Sequence, residues 1–189
     1  MDVDRAALRL RRRALDDAAR AASAAAVAPL VLPLIRGVSR LAAYTATGGE
    51  LDPAPVVAAA CRSGVEVYLP RAVGDELEFA RYVTGEPLVR GRFGVDQPLP
   101  GVATCAPTRL DLVLVPVVAF DRRGTRVGTG GGYYDRTFAF RREGGAAPRP
   151  LLVGLAYEWQ EMTALARHPW DVPLDVVVTD RELIQPDTR

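Results

Sequence analysis

The segment that most restricts what this chain can fold into is residues 111–136, DLVLVPVVAFDRRGTRVGTGGGYYDR. Its opening run, Leu112 to Val115, is apolar at every position. A strand with one wet face alternates apolar and polar residues, whereas an unbroken apolar run suits a strand covered on both faces. A polar, glycine-dense stretch follows over 120–132, and helical composition resumes over 133–141. A doubly covered strand, a glycine loop and then a helix form the unit from which layered α/β domains with parallel sheets are built.

The remaining chain continues this alternation. Residues 3–14 read as a basic helix, with Val3, Ala7, Leu10 and Ala14 on one stripe and Arg5, Arg9 and Arg12 on another. Asp16 reads as the N-cap of a second helix over 17–30, closed by Pro33 and Gly37. A third helix is predicted over 53–62, with proline in its first turn. Strands are predicted at 40–45, 65–69, 77–83, 151–156 and 176–179, with turns at Gly48-Gly49 and Gly74-Asp75. Residues 84–108 read as a long Pro/Gly-rich surface loop, 164–173 as irregular chain, 141–150 as a mobile connection and 181–189 as a mobile tail. A length of 189 residues suits one domain. The expected architecture is α/β: a single three-layer α/β/α domain over residues 1–189, with a mainly parallel, Rossmann-like sheet.

Composition excludes several chemistries. All 24 basic residues are arginine and lysine is absent. Arginine stays protonated and forms no Schiff base, which rules out pyridoxal-phosphate and Schiff-base aldolase chemistry and an ordinary Walker A lysine. A formal net charge of +1 provides no nucleic-acid footprint. One histidine, His168, cannot make a multi-histidine metal site, and Cys61 and Cys105 form no CxxC pair. Both counts suit a reducing cytosol, so a cytoplasmic location is expected. Arg11–Arg13 ahead of an alanine-rich stretch imitates a targeting signal. Asp2, Asp4, Asp16 and Asp17, together with breaks at Arg20, Pro29 and Pro33, argue against a signal and against a membrane span.

A glycine loop between strand and helix places backbone amides beside any bound anion, and the missing Cβ atoms let phosphate oxygens approach. Arg126 and Arg136 add forked cationic contacts, and Asp135 is the kind of single carboxylate that holds Mg2+ beside substrate phosphates. The loop matches neither standard nucleotide motif: there is no Walker A lysine, and GxGxxG would need glycine where Tyr133 stands. On spacing alone a triple glycine is equally a tight turn. Taken alone, the arginine stripe is more often a solvated helix face, Glu50 usually a turn residue, Asp175 commonly a strand cap, and Tyr133 and Tyr134 commonly core and rim. His168, Trp159 and Trp170 read as packing or surface residues.

Residues 111–136 closely resemble the signature of the 5-formyltetrahydrofolate cyclo-ligase (5,10-methenyltetrahydrofolate synthetase) family. Similar segments follow its order elsewhere: Leu8-Arg9 with RRRAL, Gly48-Gly49-Glu50-Leu51-Asp52, Tyr68-Leu69-Pro70-Arg71, Leu77-Glu78-Phe79, Gly91-Arg92-Phe93-Gly94-Val95, and the stretch from Asp171 to Thr179. The likeness covers about residues 5–180. It implies MgATP-dependent cyclisation of 5-formyltetrahydrofolate to 5,10-methenyltetrahydrofolate, with release of ADP and phosphate. By the same resemblance Arg5, Arg9, Arg126, Val127, Gly128, Thr129, Gly130, Gly131, Gly132, Tyr133 and Tyr134 bind ATP. Thr45, Glu50, Thr129, Gly130, Gly131, Gly132 and Tyr133 contact the folate, and Asp135 and Asp175 hold Mg2+. No residue is singled out as catalytic. The implied partners are the folate and ATP, with no nucleic acid or membrane, and the chain is expected as a monomer or weak homo-oligomer. Arg5 stands where the family usually has lysine, which motivates the alternative of a non-catalytic folate- or nucleotide-binding relative. A generic sugar-phosphate or coenzyme-A protein is a third reading, by fold analogy alone.

Overall fold

The structure is a computed structural model that describes residues 3–143 and 149–186. Much of the predicted 141–150 connection and the end of the predicted tail lie outside the described residues.

Helix α1 (Arg5–Arg13) starts where Asp4 Oδ1 accepts the Ala7 N–H at 2.9 Å. Helix α2 (Asp17–Ile35) starts at the predicted cap, where Asp16 Oδ1 accepts the Ala19 N–H at 2.7 Å. It does not stop near residue 30 but runs through Pro29 and Pro33. Val27, Val31 and Ile35 recur every fourth residue and are buried. Each such side chain contributes about 1.5–3 kcal/mol by burial, comparable to the roughly 3 kcal/mol an interior proline costs. By length and composition α2 could cross a membrane; here that face packs on the core.

The chain continues through β1 (Arg40–Ala42), α3 (Ala54–Arg62), β2 (Glu66–Val73), β3 (Glu76–Tyr82), β4 (Leu88–Arg90), β5 (Asp96–Pro98) and β6 (Thr104–Cys105). Then come β7 (Leu112–Pro116), β8 (Ala119–Phe120), β9 (Arg126–Val127), α4 (Tyr133–Thr137), β10 (Leu151–Ala156), β11 (Val176–Thr179) and β12 (Leu183–Ile184). The main sheet has the order β12-β11-β10-β7-β1-β2-β3-β6. Its centre, β11 to β2, is parallel, and β12, β3 and β6 are antiparallel additions.

Four local expectations differ. The 84–108 loop contains the β4–β5 hairpin and β6, and the 120–132 loop contains part of the β8–β9 hairpin. The helix expected over 133–141 is the five-residue α4 followed by a 3-10 turn, Ala139–Glu143. Within the expected tail, Leu183 and Ile184 pair with β11.

The apolar run of β7 has its reason in the layers. Leu112 and Leu114 join Leu41, Val153 and Val176 beneath α2 and α3. Val113 and Val115 face the other way, with Phe120, Phe138, Val172 and Leu174. That second layer is thin, being α4, the 3-10 turn and irregular chain rather than a row of long helices.

The strand order reverses between β1 and β7. From β1 the chain crosses through α3 to β2 on one side, while β7, β10 and β11 extend the sheet on the other. Such a reversal opens a crevice beyond the carboxyl ends of the two strands, where open α/β sheets bind ligands.

Candidate active site

A cleft of about 1140 Å³ occupies that crevice. The chain leaving β1 brings Tyr44, Thr45, Thr47 and Glu50 to it, and the chain leaving β7 brings Pro116 to Val118. Arg5 and Arg9 of α1, Arg126 and Val127 of β9, the loop Gly128–Gly132, and Tyr133, Tyr134 and Asp135 of α4 also line it.

Glu50 is placed by the end of α1. The Gly48-Gly49 turn lies directly on that helix: a Cβ on Gly49, whose φ is +77°, would stand 2.5 Å from the Arg12 carbonyl oxygen. Arg12 is buried, its Nε donates to Gly48 O at 3.1 Å, and its Nη2 lies 3.5 Å from Glu50 Oε1. Glu50 Oε2 accepts the Thr47 N–H at 3.1 Å. Burial lifts the Glu50 carboxyl above the ordinary carboxylate range despite Arg12, and burial followed by the Glu50 charge lifts the Tyr44 and Tyr134 hydroxyls. The Glu50 carboxylate is therefore held at a desolvation cost. In the folded chain Glu50 keeps its proton to higher pH than in the unfolded chain. Stability should therefore fall as pH rises from the ordinary value of 4.5 through the raised one. Urea midpoints across that range should show the fall in the wild type and not in Glu50→Gln.

Arg12 is the residue that sequence reasoning missed. Its signal was present, since it is the third member of the Arg5–Arg9 stripe, but only docking on the turn distinguishes it from a solvated arginine. On cleft-lining residues, two buried atoms have no partner among the described residues: Arg9 Nε and Thr45 Oγ1. A ligand that fills the cleft supplies what they lack.

The glycine loop leads from β9 into α4, with Gly132 as N-cap at φ +66°. A five-residue helix has little macrodipole, so loop amides and guanidinium groups must supply the anion field. Arg5 Nη1 lies 3.7 Å from where a Cβ on Gly130 would stand. Arg126 is almost enclosed, its Nη2 donating to Asp135 Oδ1 at 2.6 Å and its Nη1 to Val172 O. The Val172 N–H donates to the same Asp135 oxygen at 3.0 Å. Arg136, expected at phosphate, lines the cleft and also ties the loop to the β2–β3 turn: Nε donates to Asp75 O at 2.6 Å and Nη2 to Gly131 O at 2.7 Å. Gly128 has no neighbour within 4 Å of a built Cβ. Gly128→Ala should leave the melting temperature within about 2 °C, because surface changes of this kind stay near 0.5 kcal/mol. An anion cradled by the loop amides should bind the variant severalfold more weakly, which titration calorimetry with pyrophosphate checks.

Residues 2–180 match the 5-formyltetrahydrofolate cyclo-ligase family. This chain belongs to that family. It is 34% identical over 178 residues to the 5-formyltetrahydrofolate cyclo-ligase of Escherichia coli (strain K12), covering 91% of this chain and 96% of the relative. It is 34% identical over 148 residues to the Haemophilus influenzae enzyme of the same name, covering 76% and 77% respectively. Among solved structures it resembles 5,10-methenyltetrahydrofolate synthetase of Aquifex aeolicus, with a TM-score of 0.80 and 31% identity over 98% of this chain and 92% of that one. The protein is thus a ligase of folate one-carbon metabolism with an α/β fold.

In this cyclo-ligase only one of the two expected metal carboxylates lines the cleft. Asp135 lines the cleft, and its Oδ2 takes no hydrogen bond among the described residues. Asp175 does not line the cleft. Both of its oxygens accept from Arg141 Nη2 at 2.8 Å, and Oδ2 also accepts the Leu152 N–H at 2.6 Å. The reason is topological: Asp175 precedes β11 at the amino end of a parallel strand, whereas the cleft lies beyond carboxyl ends. Among the described residues no group of three or more potential metal ligands exists, so a metal here would rely on Asp135 and on substrate phosphates.

The 84–108 segment contributes one rim of the cleft. Phe93, a non-glycine residue at φ +61°, is 70% exposed and meets the Tyr133 ring edge-on at 5.8 Å. Arg92 Nη1 anchors it, donating to Gly74 O at 3.1 Å.

Proposed function

We propose that this cyclo-ligase converts 5-formyltetrahydrofolate to 5,10-methenyltetrahydrofolate, hydrolysing ATP to ADP and phosphate, in the cleft between β1 and β7. The observation that carries this reading is the convergence in one cleft of two unlike sites. One is a cationic glycine loop suited to phosphates, and the other a buried carboxylate, Glu50, suited to the donor N–H groups of a pterin. Arg5, Arg9, Arg126 and the 127–134 backbone bind ATP; Glu50 and Thr45 hold the folate, and the glycine loop touches both.

The formyl carbon is amide-like and a poor electrophile. Its oxygen attacks the γ-phosphorus and ADP leaves, so the carbon now carries phosphate as a leaving group. The ten-position nitrogen then attacks that carbon and loses its proton as the C–O bond to phosphate breaks. The residues hold the two substrates in line and match the growing phosphate charge, which is where most of the acceleration of phosphoryl transfer arises. Asp135 would hold Mg2+, which when bound adds positive charge beside the phosphates. We place the reaction in the cytoplasm, where Cys61 and Cys105 remain the free thiols they are here.

Purified protein given 5-formyltetrahydrofolate and MgATP should accumulate the near-ultraviolet absorbance of the methenyl product, with one ADP per turnover. Folate and nucleotide binding with no ADP release at high enzyme concentration would instead identify a non-catalytic relative.

A further inference from the structure

One wall of the cleft has no role in the reading above. After β10 the chain runs irregularly through residues 164–173, and His168, Trp170 and Asp171 of this stretch line the cleft. At its start, Leu165 shares a small surface pocket with Ala7 and Leu8 of α1, the helix that carries Arg5 and Arg9. At its end, Val172 is hydrogen-bonded to both Asp135 and Arg126. The segment therefore bridges the two groups of side chains assigned to the nucleotide.

Between these anchors the His168 and Trp170 rings stack, with centroids 4.7 Å apart and planes 6° from parallel. Their backbone is fixed: Asp171 Oδ2 accepts the His168 N–H at 2.8 Å, and Arg142 Nη1 donates to Trp170 O at 2.5 Å. Trp170 is nonetheless 59% exposed. A largely exposed indole stacked on His168 and carried by a hydrogen-bonded backbone presents a flat apolar surface at the cleft, the form that nucleobase stacking uses.

We propose that Trp170, backed by His168, is the stacking platform for the nucleobase of ATP. This inference rests on the ATP assignment made above. The pterin is the other flat ring in the reaction, but its anchor is Glu50, which follows β1 and is tied to Thr47 and to Arg12 of α1. The platform's own anchors are Asp135 and Arg126, at the phosphate end.

Steady-state kinetics of Trp170→Ala should show the ATP KM raised roughly tenfold, with the folate KM within about twofold of wild type. Trp170→Phe, which keeps a stacking ring, should recover most of that loss. A second readout needs no turnover. Trp170 is one of two tryptophans, and the other, Trp159, is stacked on Tyr157. ATP should change the intrinsic fluorescence of Trp159→Phe and leave that of Trp170→Phe unchanged. A rise in folate KM in place of ATP KM would assign the platform to the pterin and overturn the proposal. Unchanged KM values in an active Trp170→Ala enzyme would reduce the pair to packing. If the wild type forms no methenyl product, the proposed function fails, while the ATP fluorescence titration still decides the platform.

Discussion

Arg126→Met is expected to lower kcat/KM by about 10²–10³-fold, the scale on which removing one preorganised charge-stabilising donor acts. Methionine roughly fills the space of the arginine stem but removes the fork that holds Asp135 and Val172 O. Asp135 would then keep only the Val172 N–H, and the glycine loop would lose an enclosed cation. The Asp135 side chain is 25% exposed, so water replaces part of the lost pairing. The melting temperature should fall by only a few degrees, since each kcal/mol is worth roughly 2–4 °C at this size. Activity and stability thus separate. Asp135→Asn sharpens the test, because its amide oxygen still accepts both hydrogen bonds while the charge is gone. On the proposed role of Asp135, half-maximal activity should then need more Mg2+, and an unchanged Mg2+ titration would remove the metal from Asp135. Wild-type kcat/KM in Arg126→Met would sink the assignment of this pair to the phosphate end.

Gly49→Ala should destabilise the fold by about 2–5 kcal/mol, combining a left-handed backbone penalty with overpacking. The clash is with backbone, the Arg12 carbonyl at 2.5 Å, so no side chain can swing away. Either α1 lifts or the turn shifts. A loss of that size lowers the melting temperature by roughly 10 °C. Folate affinity should fall further than ATP affinity, because Glu50 rides on the same turn. Gly37→Ala is the control: its φ of +76° matches, yet a Cβ there meets nothing within 4 Å. It should show the backbone penalty alone, about 1–2 kcal/mol. Equal melting temperatures for the two variants would refute the docking of α1 on the turn.

The parts of the fold that were legible in the sequence depend on short stretches of chain. The predicted strands at 151–156 and 176–179 coincide with β10 and β11, and Asp16 caps α2 as read. A cap acts across three residues, and a doubly buried strand declares itself by its own unbroken apolar run. The continuation of α2 through Pro29 and Pro33 was not legible, because a sheet distant in sequence supplies the compensating burial. The hairpins inside 84–108 and 120–132 escaped notice because their strands are only two or three residues long.

The candidate site divides in the same way. Residue types suited to phosphate, pterin and metal could be read from segments 5–12, 45–50 and 126–135, and the family from their order. Sequence alone also decided the chemistry that is absent, since a chain without lysine has no Schiff base to offer. Which groups meet was decided only by the tertiary structure. The reversal of strand order between β1 and β7 gathers Glu50, Arg9, Arg126 and Asp135 into one cleft, because each lies in an element that borders the crevice there. The same directionality leaves Asp175 out of that cleft, bound to Arg141, since it precedes its strand instead of following it. It also turns Arg12 from a surface charge into the pin of the Glu50 turn. Spacing along a chain records what each residue can do, but a contact across tens of residues exists only once the sheet has set the two ends side by side.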